Sequence, residues 1–249
     1  MRTNGKISAA VLFLVLMGVT SSLAGSYVSW KGGFHITYPD QWHQIDYQTV
    51  DVFLFSNMAD KSVLDYEAVF ADTASRPFFQ GTYLIVAIDS TGKLSDNQVD
   101  SVLQNLGKTF GRNVRRFSTD NLPIKLKSKS PVYDAENKLV TVLNDIVQDG
   151  KVIKKNLMMM KFYDKGTASF YLYTPDSLFE KGKSILDDIV GSFSTENLED
   201  AATQPELKVT NITPDESSTE EENDKSNRIY LYLGVALVLI MIIVIRRLR

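Results

Sequence analysis

Cysteine is absent from the 249 residues, and histidine and tryptophan occur only twice each. Without a thiol the chain has no disulfide framework, no thiolate metal centre, no cysteine nucleophile and no cysteine for lipid anchoring. Two histidines leave little room for a His-built metal centre or a catalytic triad. A strong charge of either sign is also missing: 27 basic and 30 acidic side chains leave −3, which argues against nucleic acid as a partner. There is no GxSxG elbow, P-loop, GxGxxG turn, HExxH helix or EF-hand loop, and no cofactor is expected.

What is present is divided into unlike segments. Residues 1–24 read as a signal peptide. Arg2 and Lys6 open it, Ile7 to Val19 is largely apolar, and small Ser22 and Ala24 precede a cleavage site after Ala24. The competing reading is an uncleaved anchor. At the other end, Ile229 to Ile245 is a run of seventeen uncharged residues. At ~1.5 Å per residue it covers roughly 25 Å as a helix, the short end of a bilayer span. Tyr230 and Tyr232 suit an outer aromatic belt, and Arg246, Arg247 and Arg249 place the C-terminus in the cytoplasm. The expected arrangement is one C-terminal transmembrane helix over 228–246, with 247–249 as a basic cytoplasmic tail. Between domain and span, residues 196–227 hold ten acidic side chains, two lysines, Pro205, Pro214 and no aromatic ring. Such a composition stays disordered and extended, as a stalk. Glu220, Glu221, Glu222 and Asp224 read as a solvated run, and Asn211-Ile212-Thr213 is a glycosylation sequon.

Residues 25–195 form an extracytoplasmic domain with 19 basic and 20 acidic side chains, of a size that suits one core. Its second half reads as a meander: a strand from Leu139 to Val147, a hairpin turn at Asp149-Gly150, a strand from Val152 to Tyr163, a turn at Asp164-Lys165-Gly166, and a strand from Thr167 to Tyr173. Met158, Met159 and Met160 read as core in a strand buried on both faces. Thr174-Pro175-Asp176 signals the cap of a helix with Leu178, Phe179, Ile185, Leu186, Ile189, Val190 and Phe193 on its apolar face. Ser95 to Gln98 is a capping box for a second helix striped by Val99, Val102, Leu103, Leu106 and Phe110. Strands are expected at Val52–Phe55, Glu67–Phe70 and Thr82–Ile88, with Asn57 to Tyr66 ambiguous.

The domain opens on a hairpin. Phe34, Ile36 and Tyr38 alternate with His35 and Thr37, Gly32 and Gly33 make the turn, and Pro39 ends the strand. Gly33-Phe34, Tyr38-Pro39 and Trp42 resemble the opening of the PsbP/Mog1-like superfamily, and Ser192-Phe193 resembles the end of its closing helix. The resemblance brackets about residues 27–193. It implies an α+β fold: an α/β/α sandwich around a mostly antiparallel central sheet. The stalk and span depart from the PsbP and Mog1 pattern, so no photosystem or Ran-binding role follows.

Two features suggest contact with a partner. Arg112, Arg115 and Arg116 precede Lys125, Lys127 and Lys129, whose spacing puts the lysines on one face of a strand. They suit an anionic surface such as lipid head groups or the acidic stalk; the alternative is an edge strand guarded by lysines. Phe78-Phe79, with Trp30 and Trp42, suggest an apolar docking patch, or else packing over the sheet edge. A metal held by His35, His43 and carboxylates such as Asp40 or Asp46 competes with two unrelated histidines.

The reading is a single-pass, membrane-tethered extracytoplasmic binding or assembly module without catalytic activity, whose partners are the membrane and a membrane or envelope protein. The alternative is a metal- or carboxylate-dependent hydrolase, which needs carboxylates and histidine converging in a cleft. A third possibility is processing of the C-terminal segment. Protein isolated from membranes should begin at Gly25 and retain Arg249. Intact mass and N-terminal sequencing check both ends, and retention of residues 1–24 refutes the signal assignment.

Overall fold

The computed structural model describes residues 23–55, 66–72, 74, 77–110 and 124–202. Most of the expected signal peptide (1–22 of 1–24), most of the expected linker (203–227 of 196–227) and the apolar run 229–245 lie outside them, as do Arg112, Arg115 and Arg116; Leu23 and Ala24 belong to a strand, and Leu198–Ala202, expected to be disordered, forms a short helix. Among the described residues no helix is long and apolar enough to cross a membrane.

The elements follow in order β1 (Leu23–Ser29), β2 (Phe34–Pro39), β3 (Trp42–Gln44), α1 (Tyr47–Phe55), β4 (Tyr66–Asp72), β5 (Tyr83–Asp89), α2 (Asp96–Phe110), β6 (Ile124–Ser128), β7 (Val132–Asp134), β8 (Leu139–Gln148), β9 (Lys151–Tyr163), β10 (Gly166–Pro175), α3 (Phe179–Gly191) and α4 (Leu198–Ala202). Strands β1 and β2 make a separate antiparallel hairpin. The other eight form one antiparallel sheet in the order β3-β4-β5-β10-β9-β8-β6, with β7 also on β8. The fold is mixed α+β on a mostly antiparallel framework.

The meander β8-β9-β10 forms as the hydrophobic runs and turn chemistry require. Asp149 (φ 49°) and Gly150 (φ 80°) both take the left-handed conformation of a two-residue hairpin turn. In β10 every residue from Gly166 to Thr174 is buried. Its side chains alternate between two cores. Tyr171 and Tyr173 join Val140, Val142, Met158, Met160, Ile85 and Leu106 on the face covered by α1 and α2. Phe170 and Leu172 join Phe34, Ile36, Phe70, Leu84, Leu157, Met159, Ile185 and Ile189 on the other, beneath the β1-β2 hairpin and α3. All three methionines are core residues, as their setting in a doubly buried strand predicts.

The residues carrying the family resemblance converge on one clamp. Gly33, at φ 66°, reverses the chain so that Phe34 turns inward. Phe34 is 0% exposed and stacks on Phe193 at 4.8 Å. Phe193 also lies edge-on to Tyr163 at 5.3 Å, and the Tyr163 hydroxyl donates to the Gly32 carbonyl at 2.9 Å. Ser192, just past α3, accepts from the Thr37 amide at 2.8 Å and donates to the Ile189 carbonyl at 2.7 Å. His35 and Ser194 exchange backbone hydrogen bonds of 2.8 and 3.0 Å. Tyr38 packs on Phe70, and Trp42 is buried in the same core.

Three local expectations are corrected. Val52–Phe55 is not a strand but the end of α1. Asp46 caps that helix, accepting from the Thr49 amide at 2.9 Å and its hydroxyl at 2.6 Å, and this capping outweighs the β-branched run. Thr174 caps no helix: β10 runs on to Pro175, and the Thr174 hydroxyl shares a buried hydrogen bond of 2.8 Å with Thr82. A 3-10 turn, Asp176–Leu178, intervenes before α3, which leaves Leu178 exposed and not on the apolar face. In the capping box of α2, Gln98 accepts from both the amide and the hydroxyl of Ser95 at 2.9 Å. The ambiguous stretch lies outside the described residues except for Tyr66, which opens β4.

Phe34→Ala should cost about 3–5 kcal/mol in urea unfolding, because it opens a cavity at the clamp. Trp30→Ala, on a side chain 63% exposed, should stay within about 0.5 kcal/mol. Equal costs for the two would refute the clamp.

Candidate binding surfaces

The lysine run lies where the edge-strand reading places it. Among the described residues, strand β6 closes one end of the sheet and pairs with β8. Leu126 turns toward the α1/α2-side core, while Lys127 and Lys129 are exposed. Pairing continues past the strand through a 2.8 Å bond from the Lys129 amide to the Leu143 carbonyl. Lys125 takes its place in β6 opposite Val147.

The proposed aromatic patch is not brought together. Phe78 is a core residue, edge-on to Tyr83 at 5.6 Å and to Phe79 at 5.7 Å. The 3-10 turn Phe78–Gln80 tucks both rings against the α1/α2-side core, with Phe79 half-buried. Phe78 and Trp42 are therefore unavailable as docking side chains; only Trp30, at the tip of the β1-β2 hairpin, stands in solvent. The histidines also stay apart. His35 points away from the core that takes Phe34 and Ile36, whereas His43 alternates with Trp42 and faces the α1/α2 side. Asp46 is spent on its cap. Among the described residues no three His, Asp or Glu side chains gather as a metal site.

Composition and motif reading missed two constellations. The first centres on Glu67, whose carboxylate accepts from the Ser29 hydroxyl at 2.7 Å, while its carbonyl accepts from the Tyr47 hydroxyl at 2.8 Å. It ties β1, α1 and β4 together. Burial and the Glu67 charge push the Tyr27 hydroxyl well above the ordinary tyrosine range.

The second is a polar row across the α1/α2 face of the sheet. Strand register aligns His43, Ala71, Tyr83, Tyr173, Asn156, Asn144 and Ser128 across seven strands. Asn144 donates to Asn156 at 2.9 Å, and Asn156 donates to the Leu172 carbonyl at 3.3 Å. Tyr83 and Tyr173 stack at 4.9 Å. Beside the row, Lys154 is 6% exposed; its ammonium donates to the Phe79 carbonyl at 2.5 Å and lies 5.1 Å from the centre of the Tyr83 ring. The neighbouring Lys155 has the carboxylates: Asp145 at 3.6 Å and Asp176 at 3.2 Å. Burial lowers Lys154 from the ordinary 10.5 to about 8. The only sequence signal was polar Lys154 and Asn156 at every second position, in line with core residues Met158 and Met160.

No family model and no curated protein matches the chain. Among solved structures it is similar to the solution structure of cyanobacterial PsbP (CyanoP) from Synechocystis sp. PCC 6803. The identity is 16% and the TM-score 0.44, over 71% of this chain and 95% of that one.

Between pH 8 and 10 the unfolded chain holds the Lys154 proton more tightly than the folded one, so stability should rise with pH across that window. The gain is on the order of 2 kcal/mol. Above pH 10 the sign reverses, because Tyr83, Tyr163, Tyr171 and Tyr173 ionise first in the unfolded chain. Urea unfolding from pH 7 to 11 checks this, and Lys154→Met should flatten the rising limb.

Proposed function

We propose that the chain is a membrane-tethered extracytoplasmic binding or assembly module that meets its partner along the lysine-bearing edge of the sheet. The observation that carries this reading is the layout of the sheet. Both faces are occupied by packed cores, and among the described residues the β6 end presents strand backbone, with no further strand, beside exposed Lys127 and Lys129. An extended or acidic segment of a membrane or envelope protein suits such an edge, with backbone pairing for affinity and lysines for charge selection. The tether rests on the sequence: a signal segment over 1–24, an acidic stretch over 196–227 whose start forms α4 (Leu198–Ala202), and a span over 228–246 ending in arginines. Confining the domain to the membrane surface raises the effective concentration of partners there, so modest contacts suffice.

Crosslinking in native membranes should give a defined heteromeric product with the wild-type chain. Lys127→Glu with Lys129→Glu should lower its yield at least tenfold, while the urea midpoint changes little because both side chains are exposed. Raised salt should weaken the wild-type product in the same direction. A chain that stays uncrosslinked under every condition, or a product indifferent to the charge reversal, refutes the proposal.

A further inference from the structure

The β6 edge carries a pattern finer than its charge. Its register with β8 is unbroken from Ile124 opposite Gln148 to Ser128 opposite Asn144. The next pair is joined by the 2.8 Å bond from the Lys129 amide to the Leu143 carbonyl. In an antiparallel ladder, residues whose backbone bonds to the neighbouring strand alternate with residues whose backbone points away from it. The Lys129 bond therefore sets the parity. Lys125, Lys127 and Lys129 direct their backbone groups to β8, and Ile124, Leu126 and Ser128 direct theirs outward. Among the described residues no further strand meets those outward amides and carbonyls.

The side chains divide by the same parity. Leu126 packs against the α1/α2-side core, and Ser128 lies on that face too. Lys127 and Lys129 are exposed on the opposite face, where Leu143 packs against the hairpin-side core. Asp145, opposite Lys127, is in an ion pair with Lys155 at 3.6 Å. Among the described residues no carboxylate pairs with Lys127 or Lys129. The lysine backbone is thus engaged by β8 while the two ammonium groups stay open, and the outward backbone belongs to residues with uncharged side chains.

An arriving strand meets the same geometry. The described pairs of this sheet are all antiparallel, and the edge continues that order. Residues of the newcomer opposite Leu126 and Ser128 exchange backbone hydrogen bonds with them and turn their side chains to the helix side. Residues opposite Lys127 and Lys129 form the non-hydrogen-bonded pairs, whose Cα atoms stand about 4.5 Å apart, closer than in bonded pairs. A carboxylate there faces a lysine at the closest spacing the ladder allows, and a like charge is repelled. The residues between them adjoin Leu126, which favours apolar side chains.

We propose that β6 receives an extended acidic segment of a partner protein, paired antiparallel, with carboxylates at every second position across Lys127 and Lys129 and apolar residues between them. The proposal rests on the edge-docking reading and specifies the strand that docks. In such a strand the bonding amides belong to the apolar residues, and the amides of the acidic residues point to solvent.

The test reads fluorescence anisotropy of a labelled nine-residue peptide of alternating glutamate and valine on the full chain in lipid nanodiscs. N-methylation of the glutamate amides should change Kd less than threefold. N-methylation of the valine amides should weaken binding at least tenfold. Grouping the glutamates at one end, with composition unchanged, should weaken it at least fivefold. Ser128→Pro deletes an outward N–H and leaves the β8 ladder intact, since proline is tolerated where a strand N–H faces away from its neighbour. It should weaken the peptide at least fivefold with little change in the urea midpoint. If Ser128→Pro fails to fold, the methylated peptides still decide, because they alter only the ligand. The proposal is overturned if the peptide does not bind, if both methylations act alike, if methylated glutamates are the ones that abolish binding, or if the grouped peptide binds as well as the alternating one. A native-membrane crosslink that stays charge-sensitive beside a peptide indifferent to the methylation position refutes this proposal alone. The expected peptide pattern with no native crosslink refutes the edge-docking reading in the membrane instead.

Discussion

Burial of β10 on both faces is the constraint on which the rest of the structure depends. A strand that shows no side chain to water needs a packed layer above and below, plus a paired neighbour at each edge. Strands β5 and β9 supply the edges. The β1-β2 hairpin with α3 supplies one layer, and α1 with α2 the other. Because the alternation is strict, a register slip of one residue would exchange Phe170 and Leu172 with Tyr171 and Tyr173 and spoil both cores at once. Without a disulfide to restrain the unfolded chain, stability comes from this packing.

The clamp at Phe34 and Phe193 makes the two ends of the domain interdependent. The hairpin comes from the start of the chain and the Ser192-Phe193 pair from just past α3, so the layer over the β10 centre closes only after the whole sheet is assembled. Backbone exchange between His35 and Ser194, together with the hydrogen bonds of Ser192 to Thr37 and Ile189, fixes the direction in which the chain leaves α3 toward α4.

The two faces differ in chemistry. The hairpin side is close to purely apolar and aromatic, with Thr82 and Thr174 satisfying each other. The helix side carries the tyrosine, asparagine and lysine row. Buried polar atoms weaken a fold unless something pairs with them. The β6 edge is a separate matter. There exposed Lys127 and Lys129 flank a strand that, among the described residues, ends the sheet, and charges on such an edge oppose pairing with other sheets.

Much of the fold was legible because it rests on local rules. The Asp149-Gly150 turn, the alternation in Phe34 to Tyr38, the stripe of α2 and the edge character of β6 follow from turn chemistry, period and charge. The failures occurred where competing local signals had to be weighed. Asp46 made a helix of Val52–Phe55, and Thr174 served a buried pair instead of a cap. For Phe78, read either as a docking residue or as packing over the sheet edge, contact with Tyr83 decides for packing. By itself the sequence determined the strand and helix periods and the turns, since these depend on neighbours a few positions apart, while a family resemblance marked the residues that meet in the clamp. Only the tertiary structure decided which polar groups share a row, because His43, Tyr173, Asn156, Asn144 and Ser128 are far apart in sequence and meet through strand order. It also decided that Lys154 is buried away from the acids that hold Lys155, because adjacent residues in a strand face opposite sides of the sheet.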